Sequence, residues 1–277
     1  MTGYVDIHSH TLPGVDDGSS SFKISLAMPE VALSQGVGTL VLTPHLRPID
    51  GTDKEEEHRE RFAEFKQVVR EVGIEIDLHF GSEIAFRFNM PEVAAWPTGD
   101  LADGRFVLTD FPPGLISPGL EQAYFELRSA GYKPILAHTE RHRELSKQPE
   151  KIERLREQDL LIQVNVGSLL GRFGRQAQDT AEMMLERGWP DFIGSAAHDL
   201  EKRSFSLLKE ARERVLELCC EAEVDRLFHR NPACVISDDQ ILRGEESPRS
   251  PAEPRRSNNS SRRGGSGKRR KKEKAGF

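Results

Sequence analysis

Cysteine is scarce in this chain of 277 residues. Cys219, Cys220 and Cys234 form no CxxC pair, and their odd number argues against a disulfide framework. Long apolar runs are also missing. No stretch approaches the roughly 20 residues needed to cross a bilayer. The opening MTGYVDIHSH has neither the basic region nor the apolar core of a signal peptide, so a cytoplasmic location is expected. Cys220 and Arg226 fit the bare C-x5-R spacing of cysteine-dependent phosphatases, but Glu221, Glu223 and Asp225 lie between them. A phosphate loop needs positive potential and inward-pointing N–H groups. The match therefore reads as an accident inside a helix.

What is present is charge, unevenly spread. From Gly244 to Phe277 there are 11 Lys and Arg against 4 Asp and Glu, a balance of +7, so the net −6 of the chain leaves −13 for the rest. That terminal stretch is rich in Ser, Pro, Gly, Arg and Lys and nearly free of bulky apolar residues. It cannot bury enough surface to offset the entropy of ordering, and a disordered tail over 244–277 is expected. It reads either as an arm for polyanions (nucleic acid, acidic protein or anionic membrane) or as a solvated tail with no specific partner.

Residues 1–243 alternate short apolar runs with longer amphipathic stretches. Strands are predicted over Tyr4–His8, Thr39–Thr43, Ile74–Phe80, Phe106–Phe111, Pro134–His138, Leu160–Asn165 and Asp191–Ser195. Helices are predicted over Phe22–Gln35, Lys54–Val72, Pro118–Ala130, Glu150–Gln158, Gln176–Arg187 and Ser204–Glu223. Near-continuous apolar strands separated by helices imply a parallel sheet covered by helices. About seven such units favour a closed or nearly closed α/β barrel.

Polar residues suited to metals fall where those strands end. His8 and His10 close the first strand and His45 follows the second. Glu83 follows the third, Asp110 and His138 end the fourth and fifth, and His198 follows the last. In a parallel barrel the C-terminal strand ends share one face, where active sites are built. Alternation along a strand also sets both rings of an HxH pair on one side, so the pair can chelate one ion. Imidazole with carboxylate suits Mn, Fe or Zn. A lone histidine at a strand end is more often an ordinary hydrogen-bonded loop residue, and His58, His79, His142 and His229 are read that way.

VDIHSHTLPGVDDGS resembles the opening motif of the PHP (polymerase and histidinol phosphatase) family, and especially its bacterial capsule-biosynthesis protein-tyrosine phosphatases. TPH at Thr43–His45, GSEI at Gly81–Ile84, AHTER at Ala137–Arg141, NVGSLLGRFG at Asn165–Gly174 and GSAAH at Gly194–His198 continue the match in order, with Arg203 beyond. The resemblance implies a distorted (β/α)7 barrel of PHP type and a site of two or three metals, usually manganese. It implies that His8 and His10 hold a first ion, bridged by Glu83 to a second that Asp110 and His138 complete. Asp17, His45 and His198 would hold a third. Asp17 carries the family spacing, nine residues after His8, and Asp16 reads as a turn or cap residue.

Arg141 and Arg203, three and five residues after His138 and His198, would bind phosphate oxygens through their guanidinium forks. Asn165 and the glycine-rich loop after it read either as part of the pocket wall or as a plain βα turn. The implied activity is hydrolysis of protein phosphotyrosine by metal-activated hydroxide, in capsular or exopolysaccharide synthesis, with a bacterial tyrosine autokinase as substrate partner. The alternatives are a small-molecule phosphomonoesterase of the histidinol phosphatase kind and a metal-binding regulatory protein with weakened catalysis. The sequence leaves homo-oligomer formation open. Two departures stand out. Ala196 occupies the place of the family Asp in S-D-x-H, which removes a carboxylate from the first metal. Asp110 stands where many capsule-type members have Glu. Asp199 is next to His198, but an extended backbone would point it elsewhere.

Overall fold

The computed structural model describes residues 3–47, 52–86, 89–111 and 119–245. The expected tail, from residue 246 onward, lies outside the described residues. Nine short strands pair in parallel throughout: β1 (Tyr4–Ser9), β2 (Val37–Leu42), β3 (His45–Leu46), β4 (Asp77–Phe80), β5 (Glu83–Ala85), β6 (Phe106–Asp110), β7 (Lys133–Leu136), β8 (Leu161–Asn165) and β9 (Phe192–Gly194). By hydrogen bonding these are seven strands. β2 runs on into β3 across Thr43–Pro44, where proline has no N–H to donate, and β4 runs on into β5 across Gly81–Ser82. The ladder crosses both breaks through Thr43 N–H to Ser9 O (2.8 Å), Gly81 N–H to Leu42 O (3.1 Å) and Glu83 N–H to Pro44 O (3.1 Å).

The pairing then continues from β5 through β6, β7 and β8 to β9. It returns to β1 through a single seam, Ala196 N–H to His8 O (2.9 Å) and His10 N–H to Ala197 O (2.8 Å). The expected seven-stranded α/β barrel is thus present, distorted where its strands break. Those breaks lie at the C-terminal rim, where β3 and β5 begin with His45 and Glu83.

Helices α1 (Phe22–Ser34), α2 (Thr52–Glu71), α3 (Met90–Ala94), α4 (Leu120–Ser129), α5 (Arg143–Lys147), α6 (Pro149–Glu157), α7 (Val166–Leu169) and α8 (Arg175–Glu186) occur between strands. α9 (Leu208–Leu218), α10 (Glu221–Asp225) and α11 (Asn231–Ser237) follow β9. Two apolar cores result. Leu40, Leu42, Val107, Leu136, Ile162, Val164 and Ile193 pack outward against the helices. Val41, Phe106, Leu108, Ile135, Leu161 and Phe192 fill the barrel, and Val235 of α11 packs with them. Alternation along β6 and β8 carries the inward row from apolar to polar. Phe106 and Leu108 lead to Asp110, and Leu161 leads to Gln163 and Asn165. The barrel is greasy below and polar at its rim.

One expected helix is broken. Ser204–Glu223 resolves into a turn at Phe205–Leu207, then α9, then α10, with Cys220 exposed and extended at the start of α10. The apolar stripe Leu208–Ala211–Val215 does not run in phase to the buried Leu227 and Phe228. The break re-aims the chain so that both sets reach the core. Cys220 and Arg226 therefore share no phosphate loop, and Arg226 is paired with Glu223 (2.7 Å).

Candidate metal centre

All eight metal-type side chains singled out from the sequence reach one cavity of about 220 Å³, which Arg141, Arg203, Asn165, Phe111 and His142 also line. Glu83 is its hub. Its Oε2 lies 3.4 Å from His8 Nε2, 3.2 Å from His10 Nε2 and 3.0 Å from His45 Nδ1, and its Oε1 lies 2.9 Å from His138 Nε2. Asp110 Oδ1 stands 3.6 Å from that same His138 nitrogen. On the other flank, Asp17 Oδ1 is 3.4 Å from His45 Nε2 and 3.5 Å from His198 Nε2. The donor atoms of His8, His10 and Glu83 form one tight group. Those of His45, Glu83 and Asp110 form a second, and those of His10, Asp17, His45 and His198 a third, each within 4.8 Å.

The chemistry of these donors fits cations. His8 Nδ1 faces Gln163 Oε1 (2.9 Å), His10 Nδ1 faces Asp16 Oδ2 (2.7 Å), and His198 Nδ1 faces Ala196 O (2.8 Å). Each of these oxygens only accepts, and Gln163 is fixed in that sense by the His138 N–H it also receives (3.3 Å). Each ring must therefore carry its proton on Nδ1, and a neutral ring turns a bare Nε2 lone pair to the cavity. The Nε2 atoms of His8 and His10 lie 3.2 Å apart, and the buried Nε2 of His198 has no hydrogen-bond partner. Acceptors facing acceptors beside a carboxylate repel one another unless positive charge lies between them.

In the protein alone, protons take that place. Burial opposes charge on His10, yet its hydrogen bonds to Asp16 and Glu83 raise it to about 9. Burial likewise opposes ionisation of Glu83, but the surrounding histidines hold its carboxyl well below the usual range. Asp110 is pushed up, by burial first and then by the Glu83 charge. Burial and the charges of His10 and Arg203 push His198 down to about 3.

Local backbone explains how these groups arrive. His138 and Ala196 both adopt left-handed φ, +34° and +43°. The first turns His138 back over the rim as β7 ends, and the second swings the chain after β9 towards His198. Gly194 allows the tight interior there. A Cβ on it would meet Gln163 Nε2 at 2.4 Å and His8 Cβ at 3.1 Å. Asp199 accepts the N–H groups of Glu201, Lys202 and Arg203 and so is occupied as a loop cap outside the cavity.

Three residues are more involved than their sequence reading suggested. Asp16 does act as a turn residue, accepting the Gly18 N–H (2.9 Å), but its other oxygen orients His10 and receives the His45 N–H (3.0 Å). Gln163 braces His8 and His138. Its signal was parity, since it shares the inward row with Leu161 and Asn165. His142 is a buried part of the lining, near-parallel to His138 with ring centroids 6.2 Å apart, and burial drives it down to about 3. The two arginines differ. Arg203 is tied to Asp17 (3.2 Å), whereas the Arg141 guanidinium has no ion pair among the described residues and lies 4.3 Å over the Phe173 ring.

Comparison with known proteins identifies the family. Residues 4–237 match the family described as Capsular polysaccharide synthesis, CpsB/CapC. The chain is 31% identical over 247 residues to the tyrosine-protein phosphatase YwqE of Bacillus subtilis (strain 168), covering 88% of this chain and 96% of that one. Against the tyrosine-protein phosphatase CpsB of Streptococcus pneumoniae it is 25% identical over 243 residues, covering 86% and 100%. It superimposes with a TM-score of 0.75 at 26% identity, over 88% of this chain and 98% of the other, on a structure from the crystallographic work on YwqE and CpsB, which describes them as unique metal-dependent tyrosine phosphatases. On the extent of the family match and the identity to YwqE, the chain belongs to the CpsB/CapC capsular polysaccharide synthesis family.

Proposed function

We propose that this protein is a metal-dependent protein-tyrosine phosphatase, a phosphoric monoester hydrolase acting in the cytoplasm on phosphotyrosine of a bacterial tyrosine autokinase in capsular or exopolysaccharide synthesis. The observation that carries this reading is the convergence of bare imidazole lone pairs and carboxylates on one cavity that two guanidiniums also line. The names of the relatives YwqE and CpsB support the substrate class. Two or three Mn²⁺ ions suit the mixed nitrogen and oxygen donors. His8, His10 and Glu83 would hold one, Glu83, Asp110 and His138 a second, and Asp17, His45 and His198 a third. Bound divalent ions supply Lewis acidity and bring the pKa of water from 15.7 towards about 7.

The chain itself does the rest. Arg141 and Arg203 present planar donors to the non-bridging oxygens of a phosphate dianion. Gln163 and Asp16 hold His8 and His10 by their Nδ1 protons, which keeps each Nε2 aimed and basic. At about 220 Å³ the cavity has room for a phosphoryl group beside the metal-type donors. The preference for a protein substrate over a small phosphomonoester such as histidinol phosphate rests on the relatives. Among the described residues no helix is long and apolar enough to cross a membrane.

Metal analysis combined with turnover of a phosphotyrosine peptide and of histidinol phosphate tests the reading. Activity with Mn²⁺, its loss with chelator, its return with added metal and a preference for the peptide are expected. Turnover untouched by exhaustive chelation defeats the metal mechanism, and a preference for histidinol phosphate moves the protein to the small-molecule class. Ala196 favours a second reading, a metal-binding regulatory protein with weakened catalysis. That reading requires a metal-loaded protein without phosphatase activity in which Ala196→Asp restores it.

A further inference from the structure

Arg141 and Arg203 line the same cavity but are held by different means. Arg203 spends part of its hydrogen-bonding fork on Asp17 and shares its charge with that carboxylate. Arg141 has neither an ion pair nor a side-chain hydrogen bond among the described residues, and a free guanidinium on a long side chain would sample many rotamers. Beneath it lies Phe173, 4.3 Å from the guanidinium carbon to the ring centroid. Phe173 is not part of the cavity lining, and its direct contact with a lining residue is the one with Arg141.

Phe173 is itself firmly seated. Its ring rests on the bare Cα of Gly167, where a Cβ would meet Phe173 Cε2 at 2.6 Å. The loop that bears it is closed by Gly171 N–H to Ser168 O (3.0 Å) and Arg172 N–H to Gly167 O (2.8 Å). Glu140, the residue before Arg141, latches the same loop. Its buried Oε1 accepts the Asn165 N–H (3.2 Å) and the Ser168 hydroxyl (2.5 Å). The turn carrying the arginine and the loop carrying the phenyl ring are thus clasped together one residue away from the stack.

We infer that Phe173 is a positioning residue for phosphate binding: it holds the Arg141 guanidinium over the cavity through its aromatic face and leaves the whole charge and all five N–H donors of that arginine for the anion. This rests on the phosphatase reading above. A carboxylate in the same place would orient Arg141 equally well, but would occupy two donors and cancel the charge the phosphate needs. An aromatic face attracts the cation without taking a donor.

The test measures the dissociation constant of inorganic phosphate by calorimetry on the full-length, Mn²⁺-loaded chain, alongside its metal content. Phe173→Leu is expected to weaken phosphate roughly three- to tenfold, the range of a cation–π contact, with metal content unchanged. Phe173→Tyr retains a face and should bind as the unaltered chain does. Gly167→Ala keeps the phenyl but drives it from its seat, and it should reproduce the loss even if Phe173→Leu proves too unstable to measure. In an Arg141→Ala background Phe173→Leu should add almost nothing. Phosphate affinity unmoved by Phe173→Leu and Gly167→Ala, or a loss that persists in full without Arg141, overturns the inference while leaving the phosphatase reading intact. An unaltered chain that takes up no metal, or that takes up metal yet binds no phosphate, overturns both.

Discussion

The two ends of the barrel both bury charge, and they resolve it in opposite ways. At the floor, below the N-terminal strand ends, opposite signs meet. Asp191 receives Arg243 Nη1 and the Ile162 N–H on one oxygen, both at 2.9 Å. Arg226 donates to Pro190 O, Leu242 O and Glu223, and Asn231 brackets Leu242 through both its N–H and its C=O. At the rim, acceptors meet acceptors: Nε2 atoms of His8 and His10, the unpartnered Nε2 of His198, and the carboxylates of Glu83, Asp110 and Asp17. The floor pairs its charges within the protein, although Asp191 Oδ1 has no hydrogen-bond partner. The rim balances its charge only by taking up protons or binding cations. Sites that break the local rules of packing and pairing are where function is expected, and the crowding of acceptor on acceptor is at the rim.

Altering the rim should give the largest effect, and on activity above all. His10→Ala is expected to cut phosphotyrosine turnover by well over a hundredfold, since even outer partners of metal ligands are worth roughly 10–100-fold. In the metal-free protein it also removes the cation that Asp16 and Glu83 hold to about 9. The metal-free melting temperature should therefore fall at neutral pH, and the gain on adding Mn²⁺ should shrink. Melting curves with and without metal, beside phosphate release, check both halves. A variant that keeps the full metal-induced gain would show that the rim does not bind cations through His10.

Altering the floor should cost stability and leave activity alone. Arg243→Ala leaves Asp191 buried with one fewer cation. Burial already pushes that carboxyl up despite the arginines around it. Losing one partner of a buried pair costs about 3–5 kcal/mol, and because Arg243 is one-third exposed about 2 kcal/mol is the expected loss. Urea unfolding should register it, with kcat/KM for the phosphotyrosine peptide unchanged in the folded protein. A drop in kcat/KM without a loss of stability would break the division between the two ends.

The sequence made the rim legible to different depths. Histidines and carboxylates at strand ends stood out because parallel strands must end on a common face, and that argument needs no atomic detail. The barrel followed from apolar runs alternating with amphipathic ones. Gln163 escaped because a polar residue inside an apolar run reads as a flaw, although its parity with Leu161 and Asn165 pointed it inward. Asp16 and Asp17 are adjacent and chemically identical, so only the turn at Gly18 decides that one aims at His10 Nδ1 and the other at His45 and His198. His142 looked like an ordinary loop residue because nothing in its neighbours shows that the turn after His138 folds back onto Phe111. The break at Cys219–Cys220 was hidden because each half has good helical periodicity, and only the shift between them gives it away.

Ala196 offers the smallest effect and the most direct test of the contrast between the ends, because the expected sign depends on metal. The residue is buried beside His8 and holds φ +43°, a region that costs an alanine about 1–2 kcal/mol and that aspartate tolerates better. Ala196→Asp relieves that strain but adds another acceptor to a rim already crowded with them. In chelator the added carboxylate should outweigh the relief, and the protein should melt at or below its unaltered temperature. With Mn²⁺ the same carboxylate becomes a ligand and the strain is still relieved, so stability should rise by about 0.5–1 kcal/mol. Paired melting curves in chelator and in metal read the two signs directly. Equal shifts in both conditions would mean that Ala196 matters only to the backbone, and that the first site does not lack the carboxylate its relatives are expected to have.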